Sequence, residues 1–214
     1  MTDILLATWN SERFLREQLD SIIGQTVKDW RLLIRDGGSS DRTLEIIEEY
    51  SCKDERIILA EKGKAGAMEN FSRLLKFADA PEVMFADHDD VWLPEKVERS
   101  RKKLREAAAE VPAGTPVCVF TDALVTDAEL NVTSGSNLKN QNLDPEKGLN
   151  PARLLVQNVP SGNTMIFNME LCRMIDPIPV NAVMHDHYAA LAAALTGKIE
   201  CLNEATLLYR QHQL

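Results

Sequence analysis

The stretch FADHDDVWLP, residues 85–94, places three carboxylates, Asp87, Asp89 and Asp90, within four positions directly after an apolar run. Two like charges about 5 Å apart repel by roughly 3 kcal/mol at an effective dielectric near ~20. In an extended segment Asp87 and Asp89 project to one side, because strand side chains alternate. A hard divalent cation relieves that repulsion. Magnesium and manganese prefer one or two carboxylates and take phosphate oxygens and water for the remaining positions. The cluster therefore reads as half of a metal site whose other half arrives with a phosphate-bearing ligand. A blander reading is an acidic turn ahead of the helix opened by Pro94, where negative charge favours the helix N-terminus. That accounts for Asp90 but not for Asp87, which lies further back at a strand end.

Other candidate groups are spread along the chain. Asp36 ends the run WRLLIRD much as Asp87 ends VMFA. In KGKAGAMEN, Gly63 and Gly66 let backbone come near a ligand, and Lys64 is suited to meeting a phosphate. Asp186 heads an alanine-rich helix, as a general base or as a first-turn acid favouring the dipole. His185 and His187 are two positions apart and cannot share a helix face, which argues against zinc there. His212 stands two residues from the end of the sequence. Cys52, Cys118, Cys172 and Cys201 show no CxxC or Cys/His spacing and read as reduced thiols.

Positioning these groups requires alternating strands and helices. Ile4 to Ala7, WRLLIRD, Ile57 to Leu59, Val83 to Ala86 and VCVFTD read as strands. Between them, NSERFLREQLDSII reads as a helix capped by Asn10 or Ser11, with Phe14, Leu15, Leu19, Ile22 and Ile23 on one face. SSDRTLEIIEEY reads as a capped helix with Leu44 and Ile47 inward. Phe71, Leu74, Leu75 and Ala78 mark a third helix, and PEKVERSRKKLREAAAE a fourth. This alternation predicts an α/β fold, a mostly parallel central sheet flanked by helices. Ligands of such sheets sit beyond the carboxyl ends of the strands, where Asp36 and Asp87 both fall. After Asp127 the polar NVTSGSNLKNQNLDPEKGLN reads as a long loop, a substrate lid or simply mobile. A short helix near residues 153–157, a strand at 164–167, the helix HDHYAALAAAL and strands near 199–201 and 206–209 complete the pattern. The simplest division is a single domain over 1–214, with a nucleotide-type first half over 1–127 and an acceptor-side half over 128–214.

Of 214 residues, 44% are hydrophobic and 27% charged, and the formal net charge is −9. That excess of acid argues against a basic stripe and a nucleic-acid partner. No GxxxxGK is present, which excludes P-loop chemistry. The N-terminus lacks a signal peptide, and no apolar run reaches a membrane span. The expected location is cytoplasmic. The basic burst Arg99, Arg101, Lys102, Lys103 and Arg105 reads as a solvated face; the sharper reading is peripheral membrane contact through anionic lipid headgroups at the inner face of the plasma membrane.

The ordered set ATWN, QTVKDWRLLIRDGGSSDRT, GAMENFSRLL, FADHDDVWLPEKV, SGNTMIF, HDHYAAL and LYRQH resembles glycosyltransferase family 2, most of all its bacterial rhamnosyltransferase-like branch. The resemblance runs along nearly the whole chain. It implies a GT-A fold and an inverting sugar transfer from a UDP- or dTDP-sugar, dTDP-rhamnose among them. The implied acceptor is a cell-surface polysaccharide or lipid-linked glycan. By the same resemblance Ala7, Trp9 and Glu12 meet the nucleoside, and Asp36 accepts from the base imide. Gly66, Asn70, Asp87 and His88 belong to the nucleotide-sugar site. Asp89 and His212 hold Mn2+ or Mg2+, and Asp186 is the catalytic base. The chain departs from the family's usual pattern at Arg35, where an acid is expected, and at His187 and Tyr188, where two tryptophans are expected. Relatives commonly continue past YRQH, so the sequence reads as a short or truncated member. The alternative is a catalytically weak or inactive nucleotide-sugar-binding relative.

Overall fold

In a computed structural model of the protein, residues 1–212 are described. The chain runs β1 (Thr2–Thr8), α1 (Leu15–Ile23), β2 (Trp30–Asp36), α2 (Thr43–Lys53), β3 (Ile57–Lys62), α3 (Ala67–Leu75), β4 (Glu82–Ala86), β5 (Val91–Trp92) and α4 (Lys96–Ala109). It continues through β6 (Val117–Thr126), β7 (Val132–Ser134), α5 (Asn137–Asn140), α6 (Pro145–Gly148), α7 (Pro151–Leu154), β8 (Met165–Asn168), α8 (Met169–Ile175), α9 (His185–Thr196) and β9 (Lys198–Arg210). Among the described residues the strands form one sheet in the order β3-β2-β1-β4-β8-β6-β9-β5, with β7 on the side of β6.

Strand alternation builds two cores. From β1, Leu5 and Ala7 face one layer while Ile4 and Leu6 face the other; Val83 and Phe85 part from Met84 and Ala86 in the same way along β4. The first layer is closed by Phe71, Leu74 and Leu75 of α3 and by the small residues Ala189, Ala190 and Ala193 of α9. The second is closed by Leu15, Leu19 and Ile22 of α1, Ile46 and Ile47 of α2, and Val97 and Leu104 of α4. Full burial of a side chain such as Phe85 contributes about 2–3 kcal/mol. Because β1 is buried on both faces, it reads as an apolar run rather than an alternating one.

The first half carries the expected parallel order, with β1 between β2 and β4 and β3 outside β2. The second half is mixed: β8 is antiparallel to β4 and β6, and β9 is parallel to β6. The sheet therefore crosses Asp127 without a break.

Several local expectations change. The first helix starts at Leu15 and neither Asn10 nor Ser11 caps it; Asn10 has φ +47° and Ser11 Oγ accepts from the Trp9 N–H at 3.1 Å. The predicted loop after Asp127 contains β7 and two helical turns, and its Leu138 is buried. Asp122 pins it, accepting from the N–H groups of Asn137 at 3.0 Å and Leu138 at 3.1 Å. The two closing strands are one, with register shifts against β6 near Asp122. Most of the basic burst on α4 is paired: Arg99 with Glu95 and Glu204, Arg101 and Arg105 with Glu82, and Lys103 with Glu200. No helix among the described residues is long and apolar enough to cross a membrane.

Candidate functional site

Parallel register brings the carboxyl ends of β1, β2 and β4 to one rim: Thr8 lies beside Asp36, and Leu6 beside Ala86, just before Asp87. A cleft of about 540 Å³ opens there. Ala7, Thr8 and Trp9 form one wall, and Gly66, Ala67 and Asn70 at the start of α3 form another. Asp87, His88 and Asp89 lie along it, with Tyr209 and Arg210 of β9. Trp9 is 56% exposed, and a methyl group at Gly66 would meet nothing within 4 Å among the described residues, so both leave room for a ligand.

The acids are not equivalent. Burial, reinforced by the charges of Asp90, Asp89 and Asp186, pushes the Asp87 carboxyl well above the usual carboxylate range. That coupling brings Asp186, distant in sequence, into the cluster. Asp186 heads α9, and its two oxygens accept the N–H groups of Gly162 at 3.1 Å and His187 at 2.6 Å, which fixes their orientation. Asp89 is partly exposed, and its Oδ2 lies 2.9 Å from Nε2 of His212. His212 in turn packs against Phe14, ring centroids 4.6 Å apart. Burial lowers the pKa of His88, against the opposing charge of Asp89.

Asp36 lies on the same rim but is fully buried. Its carboxylate accepts from Thr8 Oγ1 at 3.1 Å, Ser39 Oγ at 2.5 Å, and the N–H groups of Gly38 at 3.0 Å and Ser39 at 2.9 Å. It shapes the DGGSSD turn from within. Glu12 is exposed beside the same turn, its carboxylate accepting the Arg42 N–H at 2.9 Å. Arg35, the unexpected residue before Asp36, is buried and donates to Glu61 at 3.0 Å and to the Asn70 carbonyl, so it holds a cleft residue from below.

Sequence reading missed Thr8, Phe71, Tyr209 and Arg210 as parts of the cleft, and Asn163 behind it. The quoted SGN and LYR motifs contained the last three without distinguishing them. Asp90, which the blander reading placed on an acidic turn ahead of α4, is fully buried. Burial raises its carboxyl to about 7 and lowers the ammonium of Lys96, also fully buried, to about 7.

Asp89 at the cleft offers a carboxylate and His212, 2.9 Å from it, an imidazole. This donor set fits Mn2+ or Mg2+ when a phosphate completes it. Among the described residues no group of three or more His, Cys, Asp or Glu is placed to hold a metal alone.

The family model for "Glycosyl transferase family 2" matches residues 3–173. The dTDP-rhamnosyl transferase RfbG of Shigella flexneri is 39% identical over 101 residues, covering 44% of this chain and 35% of that protein. S. aureus TarS in complex with UDP-GlcNAc has a TM-score of 0.68 at 17% identity, over 100% of this chain and 59% of that one. The mannosyltransferase PcManGT of Pyrobaculum calidifontis, in complex with GDP-Man and Mn2+, has a TM-score of 0.67 at 15% identity, over 97% of this chain and 56% of that one. These likenesses bear out the expected GT-A type fold. The chain spans less than two thirds of the length of the curated relatives it matches.

Proposed function

The chain belongs to glycosyl transferase family 2, and from that premise we propose that it transfers a sugar from a nucleotide-diphosphate donor to an acceptor hydroxyl in one inverting displacement. The observation that carries this reading is the placement of Asp87 and Asp89 along a single cleft at the carboxyl rim of the sheet, with the charge of Asp186 acting on Asp87.

Trp9 stacks on the base and Ala7 lies against the nucleoside. Asp36 and Glu12 brace the turn beside it; a direct contact from Asp36 to a base imide requires one of its four present donors to give way. Gly66 and the first N–H groups of α3 face the phosphates, where an anion is favoured. Asn70, Asp87 and His88 shape the ribose and sugar-phosphate region. Asp89 and His212 would hold Mn2+ or Mg2+, which when bound supplies Lewis-acid neutralisation of the leaving diphosphate. Asp186, aimed by its two N–H donors, takes the proton of the attacking hydroxyl as general base. Rhamnose from dTDP is the first donor to try, given the likeness to RfbG, with UDP-hexoses beside it. The acceptor class is a cell-surface polysaccharide or lipid-linked glycan.

Calorimetry with UDP and dTDP, with manganese or with EDTA, tests the reading. Binding is expected to weaken about tenfold or more, at least ~1.4 kcal/mol, without the cation. Equal affinity under EDTA would overturn metal-dependent donor binding. Tight nucleotide binding without turnover of any donor would favour a non-catalytic binder.

A further inference from the structure

Asp90 does not line the cleft, yet it bonds two segments behind it. It is fully buried, and its two oxygens serve segments 120 and 73 residues away. Oδ1 accepts the Arg210 N–H at 3.2 Å; Oδ2 accepts Nδ2 of Asn163 at 2.5 Å. Each segment carries a group of the proposed chemistry. Asn163 follows Gly162, whose N–H holds Asp186 Oδ2 at 3.1 Å. Arg210 donates through Nε to the Asp89 carbonyl at 2.7 Å and leads to His212, which meets the Asp89 carboxylate. Behind Asp90, the buried Lys96 donates to Thr206 of β9 at 3.2 Å, and Thr206 bonds Thr121 of β6 at 2.6 Å.

A buried carboxylate beside a buried ammonium gives little net stability over apolar residues of the same size. What this arrangement supplies is one buried anchor that bonds two neighbouring segments at once, beside the Arg210 and His212 contacts to Asp89. We infer that Asp90 is a positioning residue: its two buried hydrogen bonds lock the turn that aims Asp186 and the strand end that brings His212 to Asp89 into one geometry. The inference rests on the functional reading above and adds to it a residue that does not touch the substrate.

The test uses Asp90→Ala, Asn163→Ala, their double variant and Asp90→Asn, all in the full chain. Donor hydrolysis gives kcat and KM, and hydrogen exchange is followed at the Gly162 and Arg210 amides and along β1. Losing either partner is expected to lower kcat on the order of 10²-fold, as an ångström-scale misplacement does. Donor KM should stay within about threefold. The double variant should be no worse than the worse single, because both remove one link. Exchange at Gly162 should quicken about tenfold or more while β1 stays protected. Asp90→Asn should recover most of kcat, since it keeps an acceptor for Arg210 and, once the Asn163 amide flips, offers an N–H to Asn163 Oδ1, which has no partner among the described residues.

Unchanged kcat and unchanged exchange at Gly162 and Arg210 would overturn the inference. So would losses that follow a general rise in β1 exchange. If Asp90→Ala does not fold, Asn163→Ala decides alone. A wild-type chain that hydrolyses no donor defeats the functional reading only, and the exchange pattern then decides the positioning role.

Discussion

At the scale of single residues, the site separates acids by environment. Asp186 is held by two backbone N–H groups without being sealed off. Asp186→Asn is therefore expected to lower transfer by about 10²–10⁴-fold while leaving donor affinity nearly unchanged, measured by kinetics beside calorimetry. A parallel loss of affinity would assign it to donor binding instead. His185, one residue earlier, is buried against Phe71, ring centroids 3.8 Å apart, and neither ring nitrogen has a hydrogen-bond partner among the described residues. Burial pushes its imidazole down to about 4, against ~6.5 in an unfolded chain. The folded state thus binds fewer protons across that window. His185's contribution to stability is full above pH ~6.5 and is lost as pH falls toward 4, at no more than about 1.4 kcal/mol per pH unit. Urea melts of wild type and His185→Phe between about pH 7.5 and 4.5 should differ in that slope. Identical slopes would remove His185 as the source. The pairing of His185 with the aromatic layer was not legible in HDHY, because the spacing gives a helix position and not its neighbours.

At the scale of elements, tight approaches fix where segments cross. Gly197 lies between α9 and β9, and a Cβ there would lie 1.9 Å from the Pro116 carbonyl oxygen. The next residue, Lys198, donates to that same oxygen at 2.9 Å and begins the β6–β9 pairing. Gly197→Ala should cost roughly 2–4 kcal/mol in thermal or chemical denaturation, by overpacking against backbone that cannot retreat. Gly66→Ala, with open space around it, serves as the control and should move stability by less than about 1 kcal/mol. A stable Gly197→Ala protein would mean the β6–β9 junction can shift. The sequence divided β9 into two strands because the polar run NEAT interrupts the apolar pattern. The structure carries one strand through it by shifting register near Asp122. The polar segment after Asp127 misled in the same way: Asp122 satisfies its backbone from a neighbouring strand, which composition does not report.

At the scale of the molecule, the net charge of −9 and the acids of the rim make the apo cleft a poor host for an anion by itself. A cation and nucleotide sugar together should stabilise the fold by mass action, by about 2.7 kcal/mol at a hundredfold excess over Kd. A thermal-shift panel of dTDP- and UDP-sugars with manganese therefore ranks donors. No shift with any of them would count against a donor site in this chain. Four of the five basic residues in the burst on α4 pair with glutamates just before α4, on β4 and on β9, so most of its charge is not directed outward as a block.

Much of this organisation is local and could be read in the sequence alone. Apolar runs and helical spacing located most of the strands and helices, and the alternation gave an α/β sheet with Asp36 and Asp87 at its carboxyl rim. Motif order along the chain gave the family. Local spacing cannot say which distant side chains meet. Only the tertiary packing put Asp87 near Asp186, buried Asp90 between Asn163 and Arg210, and set His212 on Asp89. That packing sets two apolar layers against both faces of one sheet. It belongs to all the strands together and is written in no single segment.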